Sequence, residues 1–301
     1  MSDKLLVVIA GPTAIGKTKT AIQVAQQLDT EILSCDSRQL YKELNIGVAK
    51  PDKEELAAVS HHFIDHVSIE ESYNAGRYER EAIQLIDDLF EQYDHLVLTG
   101  GTGLYIKAVL EGLDEFPAVK PHDVDHYTEV LQTQGLTALQ HELKKKDPNY
   151  FQEVDLNNSR RLVRALSVIK SSGQTFSSFR NSQPKPRNFK SVNIQLTMDR
   201  EKLYDRINTR VDMMMKEGLL AEVRSLISYK DLVSLQTVGY SELFRHLEGE
   251  LSLHESIELI KRNSRRYAKR QITWFSNNGD FTKVPTGEED EILSLISTFR
   301  S

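Results

Sequence analysis

The sequence predicts an α/β fold: a doubly wound parallel sheet interrupted by a mainly helical insertion. Three observations carry that expectation. Apolar runs too short to be helices, Leu5-Leu6-Val7-Val8-Ile9-Ala10 and His95-Leu96-Val97-Leu98-Thr99, each end in a glycine turn that opens a helical pattern. Strand and helix signals alternate through the first 110 or so positions. Beyond Gly112 the alternation stops, and only helical patterns run to about Ile169.

Taken in order, the first run is a strand buried on both faces, followed by a helix over residues 17–28 with Ala21, Val24, Ala25 and Leu28 at helical spacing. Residues 31–34 read as a second short strand and residues 62–67 as a third. Asn74 caps a helix that continues through Phe90, and the run from His95 is a fourth strand with a helix after it to about Leu110. Pro117 and Pro121 punctuate the connection into the helical insertion. Residues 171–190, rich in Ser, Gln, Asn and Pro, read as loop. Val192-Asn193-Ile194-Gln195-Leu196 alternates like a strand rejoining the sheet, and long helices follow over about 200–216 and 253–275. The expected division is a core of residues 1–115 and 191–301 with an insertion over 116–190.

The composition is that of a folded globular protein: 301 residues, 39% hydrophobic and 27% charged. One cysteine, Cys35, excludes an internal disulfide and a cysteine-based zinc site. No apolar stretch is long enough for a membrane helix, and the N-terminus lacks the pattern of a secretory signal, so a cytoplasmic protein with no membrane association is expected. The net charge of −6 argues against a nucleic-acid partner, but it is an average over an uneven chain. From Leu156 to Phe275 there are 22 basic and 12 acidic residues, a local balance of +10, leaving −16 on the remainder. Between Asp155 and Asp199 there is no acidic residue at all. A polyanion is held by a local surface, so the distribution is the informative quantity.

Gly11-Pro12-Thr13-Ala14-Ile15-Gly16-Lys17-Thr18 fits G-x-x-x-x-G-K-[ST] in the context it requires, after an apolar strand and at the start of a helix. Glycines let successive N–H groups turn toward anionic oxygens, and the helix N-terminus adds partial positive charge. Lys17 supplies a point charge to the terminal phosphates, and the Thr18 hydroxyl is placed to ligate Mg²⁺. The core is therefore P-loop NTPase-like. The fourth strand, however, runs into Thr99-Gly100-Gly101-Thr102 with no carboxylate to position a metal, which weakens an ATPase reading. A loop that grips a diphosphate equally suits a reaction in which diphosphate leaves. Asp36, directly after the second strand, belongs at the same crevice. Its position alone leaves three roles open: general base, magnesium ligand or N-cap of the next turn.

Over nearly its whole length the chain resembles the tRNA dimethylallyltransferases (tRNA isopentenyltransferases). The resemblance rests on the phosphate loop, Asp36-Ser37-Arg38-Gln39-Leu40-Tyr41, Gly47-Val48-Ala49-Lys50-Pro51 and Gly100-Gly101-Thr102-Gly103-Leu104-Tyr105. It continues through Arg160-Arg161-Leu162-Val163-Arg164-Ala165-Leu166, Thr237-Val238-Gly239-Tyr240 and Lys269-Arg270-Gln271-Ile272-Thr273-Trp274-Phe275. It implies transfer of a dimethylallyl group from dimethylallyl diphosphate, as co-substrate, to N6 of the adenosine directly 3′ of the anticodon in tRNAs reading codons that begin with U. It further implies Asp36 as general base, Thr102 beside the reacting centre and Arg210 on the diphosphate. Residues Gly11 to Thr18 are implied to bind the diphosphate, with Thr18 near Mg²⁺. The segments Asp36 to Tyr41, Arg160 to Arg164, Gln236 to Ser241 and Lys269 to Ser276 are implied to meet the tRNA anticodon stem-loop. A monomer is expected. One departure stands out: family members often carry an arginine near the start of the insertion, and Pro121-His122-Asp123-Val124-Asp125 has none.

The remaining features are read from the residues themselves. Lys261, Arg262, Arg265, Arg266, Lys269 and Arg270 fall within one half of a helical wheel, with Ile257, Ile260, Ser264, Tyr267 and Ala268 on the other: a docked helix with a basic ridge outward. Trp274 and Phe275 read as anchors for that helix end. Arg206 and Arg210 stand one turn apart, opposite a core stripe of Leu203, Ile207, Val211 and Met214, to which Met213 and Met215 are assigned as well. His61, His62 and His66 lack the spacing of a metal site. Cys35 reads as a small buried side chain. Phe176, Phe179 and Phe189, among basic residues, suit either an RNA clamp or a tether. Three competing readings are a small-molecule P-loop kinase, an adenylate isopentenyltransferase using free AMP, and a catalytically silent RNA-binding protein. The basic helix has no evident use in the first two, and Lys17, Thr18 and Asp36 together have none in the third.

Overall fold

The computed structural model describes residues 4–180 and 183–298; positions 181 and 182 of the polar segment 171–190 lie outside the described residues. The chain divides into two compact units, Met1–Glu111 with Pro186–Ser301, and Gly112–Lys185.

The larger unit is built on β1 (Leu5–Ala10), α1 (Lys17–Leu28), β2 (Ile32–Ser34), α2 (Lys53–Ala58), β3 (His61–His62), α3 (Ala75–Leu89), β4 (His95–Gly100) and α4 (Gly103–Leu110). The smaller unit holds α5 (Pro121–Gln134), α6 (Leu136–Lys146), α7 (Pro148–Glu153) and α8 (Ser159–Ser172). The larger unit then resumes with β5 (Lys190–Thr197), α9 (Arg200–Glu217), α10 (Leu219–Ser225), α11 (Tyr240–Leu247), α12 (Leu253–Asn277), β6 (Thr282–Pro285) and α13 (Glu289–Thr298). The six strands form one parallel sheet in the order β3-β2-β4-β1-β5-β6. Period-two alternation sends Leu6, Val8, Leu96 and Leu98 into one hydrophobic cluster, and Leu5, Val7, Ile9 and Val97 into another on the opposite face. Both faces are covered, which is why β1 and β4 are apolar throughout.

The third strand is shorter than expected. Only His61 and His62 pair with β2, because Phe63 and Asp65 take φ of 62° and 52° and turn the chain out of extension. Val67 makes just an isolated bridge to Tyr41. On α9, Leu203, Ile207, Val211 and Met214 are buried as expected, but Met213 is 51% exposed and is no part of the core. Sequence patterning missed α2, α10, α11, β6 and α13, which are short and lack a long periodic window.

The three phenylalanines of the polar segment pack on other rings of the fold, Phe176 buried and Phe179 and Phe189 half-buried. Phe176 and Phe179 pack with Phe116 inside the helical unit, and Phe189 packs with Phe90 in the larger one. Within the helical unit Asp123 is buried, accepting from Ser171 Oγ at 2.6 Å, with Lys170 and His122 also beside it.

Candidate active site

Three parallel strands end side by side and present their following turns at one edge of the sheet, the place where a doubly wound fold binds ligands. After β1 comes the phosphate loop, after β2 Asp36, and after β4 the turn Gly101–Thr102. The loop curls because Ala14 and Gly16 take φ of 64° and 106°. Its amides are not equivalent. Ile15 N–H donates to Pro12 O at 3.4 Å and Thr13 N–H donates to Gln271 Oε1 at 2.9 Å, so both are occupied within the protein. Gly11, Pro12 and Ile15 are buried behind the loop, while Thr13, Ala14, Gly16, Lys17 and Thr18 line a cavity of about 1490 Å³.

Asp36, Arg210, Tyr267 and Arg270 line the same cavity. Lys17 Nζ donates to Pro12 O at 2.9 Å. Burial lowers the Lys17 ammonium from 10.5 to about 8, with Asp36 opposing that shift and Arg210 reinforcing it. Arg210 is likewise lowered by burial, against the opposing influence of Asp36, and its Nη1 lies 3.4 Å from Thr13 Oγ1. Two cations are thus held in a partly desolvated crevice facing one carboxylate, an arrangement that favours an anionic ligand.

Asp36 is fixed through one oxygen: Oδ1 accepts from Arg38 N at 2.9 Å and Gln39 N at 3.4 Å. The turn-capping role is therefore real, and it leaves Oδ2 without a hydrogen bond among the described residues. Thr102 holds the turn from the other side. Its Oγ1 accepts from Ser37 N at 3.0 Å and donates to Ser37 Oγ at 3.3 Å. At the two glycines after β4 there is no room for any side chain, a carboxylate included. A Cβ on Gly100 would fall 2.6 Å from Cys35 Sγ, and one on Gly101 2.2 Å from Gln271 Nε2.

The motif segments are bolted to one another. Arg38 Nη1 donates to Ser234 O at 2.9 Å, Gln39 Nε2 to Ala49 O at 2.9 Å, and Lys50 Nζ to Tyr41 O at 2.7 Å. Glu222 accepts from Ile46 N, Gly47 N and the Tyr240 hydroxyl. A Cβ on Gly47 would meet the Tyr240 ring at 2.5 Å, and one on Gly103 the Trp274 ring at 2.3 Å. Trp274 is thus a packing anchor on the first turn of α4.

Several side chains assigned to RNA contact face inward instead. Leu40, Tyr41, Leu162, Tyr240 and Phe275 are buried in the hydrophobic clusters, because each occupies the core side of its turn or helix. Gln271 is 6% exposed and bonded to the phosphate loop. Gln236, Thr237, Val238, Gly239 and the exposed Arg270 line the cavity, whereas Arg160, Arg161, Arg164, Lys269, Thr273 and Ser276 are exposed without lining it. The basic ridge of α12 is partly tied down: Lys261 pairs with Asp212 at 2.8 Å and Arg265 donates to Asn208 at 2.5 Å. His62 and His66 bond to Glu31 and Glu81, and His61 to Val59 O.

Two cavity residues escaped the sequence reading. Tyr267, placed by the helical wheel on the apolar half of α12, lines the cavity, and its phenol is pushed up to about 12 by burial and by nearby Asp36. Arg206 donates from Nε to Ala14 O at 2.9 Å and lines the cavity. The one available signal for Arg206 was its position a turn before Arg210.

The family model described as IPP transferase matches residues 39–278. A tRNA dimethylallyltransferase of Christiangramia forsetii is 49% identical over 99% of this chain and 100% of the relative. The tRNA dimethylallyltransferase 1 of Bacteroides fragilis is 43% identical over 98% of each. Among solved structures, the full-length tRNA isopentenylpyrophosphate transferase of Bacillus halodurans has a TM-score of 0.72 at 37% identity, covering 98% of this chain and 95% of that one. A eukaryotic dimethylallyltransferase described as acting on tRNA has a TM-score of 0.80 at 26% identity, covering 98% of this chain and 77% of that one.

Proposed function

This chain belongs to the IPP transferase family, and on that premise we propose that it transfers a dimethylallyl group from dimethylallyl diphosphate to N6 of the adenosine 3′ of the anticodon in tRNAs reading codons that begin with U. The observation that carries this reading is the shared cavity: Lys17, Arg210 and Asp36 together line a space of about 1490 Å³. That volume exceeds the roughly 300–1,000 Å³ of ordinary small-molecule sites, as a site admitting both a prenyl diphosphate and an extruded nucleoside requires.

In this reading the N6–C1 bond forms as the C1–oxygen bond to diphosphate breaks. The exocyclic amine is a weak nucleophile, and Asp36 Oδ2 takes its proton while Oδ1 stays anchored to the turn. Negative charge grows on the leaving diphosphate. The loop residues Ala14, Gly16 and Thr18, with Lys17 and Arg210, line the cavity in which that charge develops, and their N–H groups and cations stabilise it. Thr18, at the start of α1 and lining the cavity, suits Mg²⁺, which takes few protein ligands alongside phosphate oxygens and water. When bound there, Mg²⁺ would neutralise part of the diphosphate charge. The acceptor adenosine sits in an anticodon loop, so extracting it disrupts stacking but no base pair. The exposed arginines of α8 and the exposed residues of α12 supply contacts for the RNA backbone, and the chain acts as a monomer.

The test is incubation with labelled dimethylallyl diphosphate, Mg²⁺ and tRNA, followed by nucleoside analysis. Label recovered at N6 of the adenosine next to the anticodon is the expected result. Label absent from tRNA but present on free AMP would replace the acceptor in this proposal.

A further inference from the structure

Gln271 lies in the C-terminal motif whose resemblance implies RNA contact, yet its side chain points the other way. The amide is 6% exposed and makes two bonds of opposite polarity: Oε1 accepts from Thr13 N and Nε2 donates to Gly101 O, each at 2.9 Å. Thr13 belongs to the loop after β1, Gly101 to the turn after β4, and Gln271 to α12. We propose that Gln271 is a positioning residue for the diphosphate cradle, setting the phosphate loop against the β4 turn rather than contacting tRNA.

Four observations support this. Only a side chain that both accepts and donates satisfies an N–H and a C=O at once; a carboxylate lacks the donor and an aliphatic chain lacks both. The fit is tight enough that Gly101 has no room for a Cβ, which would fall 2.2 Å from Nε2 and 3.3 Å from Gly11 O. Thr13 N–H is taken out of the anion-binding set, so phosphate oxygens are directed to the amides further along the loop. The hydroxyl of the residue so fixed lies 3.4 Å from Arg210 Nη1, and Lys17 donates to the preceding carbonyl, that of Pro12. Gln271 thereby holds the backbone from which both diphosphate cations take their bearings.

The inference rests on the diphosphate site proposed above, and its test separates the two. Gln271→Glu and Gln271→Ala are prepared in the full chain, together with Gly101→Ala, whose methyl displaces the amide without altering α12. Inorganic diphosphate and dimethylallyl diphosphate binding are measured by calorimetry, tRNA binding by filter retention, and KM for each substrate at steady state. The expected result is a tenfold or greater weakening toward both diphosphates and a matching rise in KM for dimethylallyl diphosphate, with tRNA affinity within twofold. Gln271→Glu is expected to be the most affected, since it sets a carboxylate against a carbonyl. Gly101→Ala should share the signature alone and add little in the Gln271→Ala background. A loss confined to tRNA binding would assign Gln271 to the RNA, and unchanged diphosphate binding would remove the brace; either overturns the proposal. A wild-type protein that binds diphosphate but transfers nothing to tRNA would overturn the function while leaving the brace measurable.

Discussion

Replacing Lys17 by methionine should stabilise the protein at neutral pH while removing diphosphate binding. The folded chain releases the Lys17 proton near pH 8, whereas the unfolded chain holds it to about 10.5. Keeping that ammonium charged in the site therefore disfavours the fold by about 3 kcal/mol at pH 7, at about 1.4 kcal/mol for each tenfold difference in proton affinity. Because the unfolded chain binds more protons between those two values, wild-type stability gains from rising pH in that window, and the penalty shrinks to about 1.5 kcal/mol at pH 9.5. Methionine preserves the volume but carries no proton. Losing the Lys17–Pro12 hydrogen bond offsets about 1 kcal/mol, leaving the variant about 2 kcal/mol more stable at pH 7. The firmer quantity is the change in that difference: it should narrow by about 2 kcal/mol between pH 7 and pH 9.5, whatever the hydrogen bond contributes. Urea unfolding of both proteins at the two pH values measures it. A difference that stays constant or widens with pH would show that the proton affinity of Lys17 is not lowered in the fold, and the account of a desolvated cationic cradle would be wrong.

Four further outcomes follow from the same geometry. Asp36→Asn keeps the acceptor for Arg38 N and Gln39 N but loses the base, so kcat should fall by about 10²–10⁴ with tRNA affinity within about twofold, read by single-turnover label transfer. Arg210→Gln should lower kcat by about 10²–10³ in the same assay, the loss expected for one donor to a developing anion. Dimethylallyl diphosphate binding should take up roughly half a proton at pH 8, as Lys17 is recharged, and should weaken as pH rises further; calorimetry in buffers of different ionisation enthalpy reads both. Gly103→Val drives a side chain into the Trp274 ring and should destabilise the fold by about 1–3 kcal/mol in urea unfolding, with diphosphate binding retained at low denaturant.

Much of the core is legible in the sequence. β1 and α1 fall where the apolar run and the helical spacing put them, because both signals are local and strong. β3 stops short of the run that patterning predicts because nothing in residues 63–66 announces two left-handed residues, neither of them glycine. The short elements after α9 carry too few periodic positions to register. At the candidate site, Lys17, Thr18, Asp36 and Arg210, all named by the sequence, line one cavity, and so do Tyr267, which patterning places in packing, and Gln271, which resemblance places at the RNA. A helical wheel separates a polar from an apolar face, but it does not distinguish a face against the core from one against a cavity.

The sequence by itself determined the strand–helix alternation from β1 to α4, the phosphate loop and the uneven charge, since each depends on neighbours a few residues apart. Tertiary structure decided which motif residues face the cavity and which hold the motifs to one another. Thr13 and Gln271 are 258 positions apart, and Thr13 and Arg210 197. Hydrogen bonds across such separations have no periodicity to betray them; they exist only once the parallel sheet has brought the ends of β1, β2 and β4 together and α12 has packed against them.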